Sequence, residues 1–154
     1  MTTESLAADE LLRLRRAVES TTDLITFHAR GGRLLFANRA ARELIGLGPD
    51  ELLPRLEIDE FFGATPEELA EMRQAIIREG RWSGELFVRG RDHRVPVSVV
   101  VSGHRDANGR YEYFSALARD ISEQRANEAA RRRSETVLRA IVQSSPLPIF
   151  ALDA

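Results

Sequence analysis

The chain has 154 residues, 43% of them apolar and 30% charged, which is the balance of a globular domain rather than of a disordered or membrane chain. A formal net charge of −2 supplies no field to draw nucleic acid or an anionic membrane, and neither is expected as a partner. Cysteine is absent, which excludes disulfides, thiolate metal sites, iron–sulfur ligation, cysteine nucleophiles and cysteinyl photo-adducts together.

At the N-terminus there is no apolar segment of the secretory kind, and no run approaches the roughly 20 apolar residues that cross a bilayer. A cytoplasmic setting, with no membrane contact from this segment, is expected. Ala7, Leu11, Leu14 and Val18 recur at helical spacing and predict a helix over 1–19, with Arg13, Arg15 and Arg16 on its solvent side. Their stripe suits either packing on the chain's own domain or a short dimer seam. Thr21, Thr22 and Asp23 stop the helix. LITFHA then reads as a strand, Gly31-Gly32 as a hairpin turn and RLLFAN as the partner strand.

Asn38 is placed to cap a helix through NRAARELIG, which Gly46 and Gly48 end. Pro49 suits the start of a short helix, PDELL, broken by Pro54. After IDEFF, Thr65, Pro66 and Glu68 have the pattern of a capping box with proline at the first helical position. The helix that follows carries Leu69, Met72, Ile76 and Ile77 on one face and ends at Gly80. Three strands come next: WSGELFVRG, RVPVSVVVSGH and RYEYFSALARD, the last pair joined by a turn with Asn108-Gly109. Val95, Val97, Val99 and Val101 alternate with other residues and predict a half-buried strand with a valine face toward the core. Phe114, Ala116 and Ala118 share a face by the same period. From Ser122 a second amphipathic helix runs without Gly or Pro for more than twenty residues. The expected fold class is α+β: a five-stranded antiparallel sheet with short helices on one face, flanked by N- and C-terminal amphipathic helices.

Two segments repeat. LRRAVESTTDLITFHA and LRAIVQSSPLPIFALDA align at an offset of 124 residues, with Leu14, Arg15, Val18, Ser20 and Ile25 matched by Leu138, Arg139, Val142, Ser144 and Ile149. Both pass from helix through a Ser/Thr patch into an apolar strand, which predicts a tandem array cut just inside its second member.

Between Leu14 and Ser122 the chain resembles a PAS domain. The resemblance rests on FANRAARELIG for the second strand and first helix, GPDELL, GRWSGEL entering the third strand, and ARDISEQ closing the fifth. It implies an N-terminal helix over 1–19, the PAS domain over 20–122, a linker helix over 123–145 and the truncated start of a second PAS domain over 146–154. It implies a regulatory sensor module of a multidomain bacterial signalling protein, relaying a ligand- or partner-induced change to a downstream effector in the same chain. A catalytic apparatus is not part of it: no GxGxxG, P-loop, HExxH or GxSxG is present, and the acid pairs Asp59-Glu60 and Glu67-Glu68 sit at helix starts, where they complement the dipole. The segment itself is read as non-catalytic, and homodimerisation through the flanking helices is expected.

Relatives in the family hold haem, flavin, small metabolites or nothing, so residue types must choose among them. Haem-binding relatives place a histidine on the helix before the third strand, and that helix has none. His28, His93 and His104 read as exposed or edge residues, and no metal site is expected. Trp82 resembles a tryptophan of redox flavin members, but Val88, Val97 and Ala118 offer no side-chain hydrogen bond to an isoalloxazine edge, so flavin is disfavoured. The expectation is a small apolar ligand or none, in an apolar pocket of Phe36, Trp82, Val88, Val97, Val99, Phe114, Ala116 and Ala118. A ligand-free dimerisation spacer is the alternative. In RDISEQ, Asp120 and Ser122 resemble the family's Asp-Ile-Thr hinge between last strand and output helix, with Arg119 and Arg125 as candidate partners of Asp120.

Overall fold

In the computed structural model residues 3–146 are described, and all but the first residue of the segment expected over 146–154 lie outside them. The elements run α1 (Thr3–Ser20), β1 (Leu24–Ala29), β2 (Leu34–Ala37), α2 (Arg39–Ile45), α3 (Ile58–Phe62), α4 (Pro66–Glu79), β3 (Arg81–Arg89), β4 (Arg94–Arg105), β5 (Tyr111–Asp120) and α5 (Ser122–Ser144). All strand pairs are antiparallel, in the order β2-β1-β5-β4-β3. This is the five-stranded α+β fold expected from the alternation of apolar residues. The chain divides after Ile121 into a first unit holding α1 through β5 and a second holding α5.

The valine strand β4 is the middle of the core. Val97, Val99 and Val101 are fully buried, and register places Val99 between Gly84 of β3 and Ala118 of β5, and Val101 between Trp82 and Ala116. Small residues beside branched ones let the helix layer approach, and Ala41, Phe61, Phe62, Met72 and Ile76 close over this face. Trp82 lies across the open position at Gly84. A Cβ built there would stand 2.5 Å from its Cζ2 atom and 2.7 Å from Cη2, so Gly84 is required for the indole to lie flat. Gly84→Ala should therefore destabilise by about 2 kcal/mol through overpacking. Trp82 is the only tryptophan, so a urea titration followed by its emission reads both the loss and the displaced ring.

Helix ends follow local chemistry. Thr65 and Glu68 form the expected reciprocal capping box (Glu68 N–H to Thr65 Oγ1 3.2 Å, Thr65 N–H to Glu68 Oε2 2.8 Å), with Pro66 in the first turn and Gly80 left-handed at the C-terminus. The predicted PDELL helix is not formed; residues 49–50 make a turn, 51 a bend, and 52–53 are irregular. Gly48 and Pro54 leave too few residues to nucleate a helix, and the Arg42 guanidinium takes the carbonyls of Gly48 (3.0 Å) and Glu51 (2.9 Å) instead. Ile77 is also corrected: it is exposed, while Met72 and Ile76 carry the buried face of α4.

Both flanking helices keep apolar residues at their surfaces. On α1 these are Leu6, Leu11, Leu12 and Leu14, with Val18 half-buried. On α5 they are Val137, Leu138, Ile141 and Val142, with Arg131–Glu135 (3.0 Å) and Arg132–Glu128 ion pairs one turn apart on the same helix. The last helical residues, Ser20 and Ser144, are the two serines matched in the sequence repeat.

Candidate functional site

A cleft of about 450 Å³ opens where α4, the β1–β2 hairpin, the start of α3 and the start of β5 meet. Its floor is apolar, built from Ile58, Leu69, Met72, Ile76, Val101 and Phe114. Backbone bonds fix the frame: Leu34 N–H donates to Leu56 O (2.8 Å) and Ile58 N–H to Gly32 O (2.9 Å), tying the hairpin to the segment that enters α3. Tyr111 closes the other side. Its hydroxyl donates to Ile76 O at 2.6 Å, and its ring lies over Gly103, where a Cβ would stand 2.5 Å from the tyrosine Cε1. Tyr111 and Phe114 stack at 5.6 Å, so two aromatic rings of β5 face one ligand-sized space.

His28 stands behind this frame and corrects the reading of it as an exposed residue. It is fully buried, with edge or tilted contacts to Phe61 and Phe62. Period two on β1 puts Leu24, Thr26 and His28 together on the inner face. The buried imidazole keeps both nitrogens partnered: Nδ1 is 3.1 Å from Gly32 O and Nε2 is 2.9 Å from Thr26 Oγ1. A carbonyl only accepts, so Nδ1 carries the hydrogen and Nε2 accepts from the threonine hydroxyl. Desolvation pushes the His28 pKa down to about 4, opposed by the Gly32 bond. His93 is exposed, and His104 stacks on Tyr113 with its Nε2 2.7 Å from Ser115 Oγ.

The residues expected to line a pocket divide into three groups. Phe114 lines the cleft. Trp82, Val88, Val97, Val99, Ala116 and Ala118 are on the same face of the sheet but are packed into the core. Phe36 is on the opposite face, a correction forced by register: it pairs with Phe27, their rings 5.1 Å apart, and a bulge between Phe27 and His28 leaves Leu34 and Ala37 as the inward residues of β2. Sequence reasoning missed Tyr111, Ile58 and the hairpin residues 30–32, because the cleft depends on the docking of α3 and α4 rather than on strand periodicity. The period-two pattern did identify Phe114.

At the far end of β5, Arg119 is a bidentate partner of Asp23 at the start of β1, at 3.0 and 2.9 Å, rather than of Asp120. The Arg119 hydrogen bond lowers the Asp23 pKa, against a smaller desolvation. Among the described residues no group of three or more His, Asp and Glu could hold a metal ion, and no helix is long and apolar enough to cross a membrane.

Residues 12–121 match the sequence pattern of the family described as the PAS fold. The chain belongs to the PAS family. Over 140 residues it is 30% identical to the non-motile and phage-resistance protein of Caulobacter vibrioides, a match covering 84% of this chain and 14% of that one. It is 26% identical over 141 residues to the nitrogen fixation regulatory protein of Klebsiella oxytoca, covering 88% of this chain and 28% of the relative. The chain thus spans less than a third of either relative's length. Among solved structures, a PAS domain from Colwellia psychrerythraea superposes with a TM-score of 0.65 at 19% identity, over 73% of this chain and 98% of that one. A light-oxygen-voltage domain studied with a flavin analogue gives 0.58 at 15% identity, over 80% and 96%. These likenesses show the fold. The PAS family is sensory and regulatory, and the Klebsiella relative is by name a regulator.

Proposed function

We propose that this chain is a ligand-sensing PAS module in which a small, mostly apolar molecule occupies the cleft between α4 and the β1–β2 hairpin. The observation that carries this reading is that β5 is continuous from Tyr111 and Phe114 at the cleft to Asp120 at the entrance of α5. A change in ring packing at one end of the strand then alters the hinge at Asp120 and Ser122, and the α5 linker passes it to an effector domain of the same chain. The module itself performs no chemistry in this scheme and works in the cytoplasm. Exposed leucines on α1 and the Val137–Val142 stripe on α5 are the surfaces of a homodimer, and the matched helix ends at Ser20 and Ser144 support a second PAS domain starting at about residue 146, after the linker helix.

Flavin does not fit the inner face. Val88, Val97 and Ala118 are buried and offer no side-chain hydrogen bond, while the buried Thr26, His28 and Asn38 are already engaged with protein groups. The same filled interior favours the ligand-free spacer as a second reading. Native mass spectrometry and an organic extract of the purified chain decide between them. A colourless protein carrying a small amphiphile, released when Phe114→Ala opens the cleft, is expected. An empty extract together with no thermal shift from a panel of apolar metabolites would leave the spacer.

A further inference from the structure

The charges around the cleft are unequal in their commitments. Four charged residues line it: Arg30 on the hairpin, Arg73 on α4, and Glu57 and Asp59 at the entrance to α3. The two acids belong to the α3 N-terminus. Asp59 Oδ1 accepts from the Glu60 N–H at 3.0 Å, and Glu57 forms part of a capping box with Glu60. There the free N–H groups of the first turn stabilise negative charge. Arg30 and Arg73, by contrast, make no ion pair and no side-chain hydrogen bond among the described residues. Each guanidinium holds five donors in a planar fork suited to a carboxylate.

We infer that the ligand of this cleft is an organic carboxylate with an apolar body, its tail on the floor of Met72, Ile76, Val101 and Phe114 and its carboxylate held by Arg73 and Arg30. The inference rests on the sensing role proposed above and specifies its ligand class. The volume is in the lower half of the roughly 300–1,000 Å³ range of small-molecule sites, which suits a medium-chain or single-ring acid. Because Arg30 is on the hairpin and Arg73 on α4, a carboxylate held by both would draw the two walls together. Free ligand would then be reported as closure of the hairpin against α4.

Three probes of one chain length test this on the whole chain: decanoate, decanol and decylammonium. Binding is followed by amide chemical shifts of residues 30–32, 72–77 and 111–114. Decanoate should bind at least about tenfold more tightly than decanol, as expected for a charge-assisted pair. Arg73→Gln and Arg30→Gln should remove that preference while leaving decanol binding and thermal stability unchanged, since both side chains are exposed. Equal binding of decanoate and decanol in the cleft would overturn the carboxylate inference and leave the sensing role intact. Preference for decylammonium would assign the rim to Glu57 and Asp59 and would also overturn it. If none of the three shifts the cleft residues, the carboxylate inference is overturned, and the extract and thermal-shift panel described above decide the sensing role.

Discussion

Replacing Asn38 with alanine should cost about 3–4 kcal/mol, well beyond the loss of an ordinary helix cap at about 1 kcal/mol. The side chain is fully buried and uses all four of its hydrogen-bonding positions. Its Oδ1 accepts from Ala41 N–H (3.1 Å), which caps α2, and from Ile25 N–H (3.0 Å) in β1. Its Nδ2 donates to Val18 O and to Asp23 O, both at 2.9 Å, joining the end of α1 to the start of the sheet. Alanine leaves these buried or part-buried backbone groups without the Asn38 partner, and each orphan carries its own desolvation cost. Asn38→Asp separates the two roles. It keeps both acceptor bonds but sets a carboxylate oxygen against two carbonyls, so it too should be strongly destabilising. Thermal or urea unfolding checks both variants. A loss of only about 1 kcal/mol in Asn38→Ala would reduce the residue to a local cap and deny that it couples α1 to the sheet.

Asn38 also shows what the sequence discloses and where it stops. The cap was legible because a side-chain oxygen before an amphipathic run has a local use within three residues. The bonds to Val18, Asp23 and Ile25 span 13 to 20 residues, and nothing in the local pattern indicates them. The strands, the valine face, the Thr65–Glu68 box and the turn at Gly109 were likewise legible, since each depends on period two, a cap or a positive φ. The failures have one source. PDELL had helical residue types, but the reach of Arg42 into its carbonyls is tertiary. Phe36 follows the alternation of its strand only if no residue is bulged, and the bulge beside His28 shifts the register of β2. The cleft was the least legible feature. Its walls come from four elements whose docking no single period records, and of the residues expected to line it only Phe114 does so.

His28 was misjudged on the general tendency of histidine to be partly exposed, although its own alternation with Leu24 and Thr26 placed it on the inner face. Its burial carries the second large prediction. In the unfolded chain the imidazole titrates at about 6.5; in the folded protein the pKa is pushed down to about 4, chiefly by desolvation. Between those values the unfolded state binds the proton and the folded state does not. The stabilising contribution is therefore fully present above about pH 6.5 and is lost as the pH falls toward about 4, a change on the order of 3 kcal/mol. Asp23 has the same sign in a lower window. Its lowered pKa stabilises above the ordinary value of 3.8 and loses that contribution at more acid pH, so the two titrations separate. Urea unfolding of the wild type and His28→Gln across the acid range tests this. The wild type should lose stability steeply from about pH 6.5 to about 4, and the variant, lacking the imidazole, should be nearly flat there. Parallel curves would mean that His28 accepts a proton within the fold. Protonation would add a hydrogen at Nε2 and forfeit the bond accepted from the Thr26 hydroxyl, while the Nδ1–H bond to Gly32 O, a carbonyl shared with Ile58 N–H, is kept.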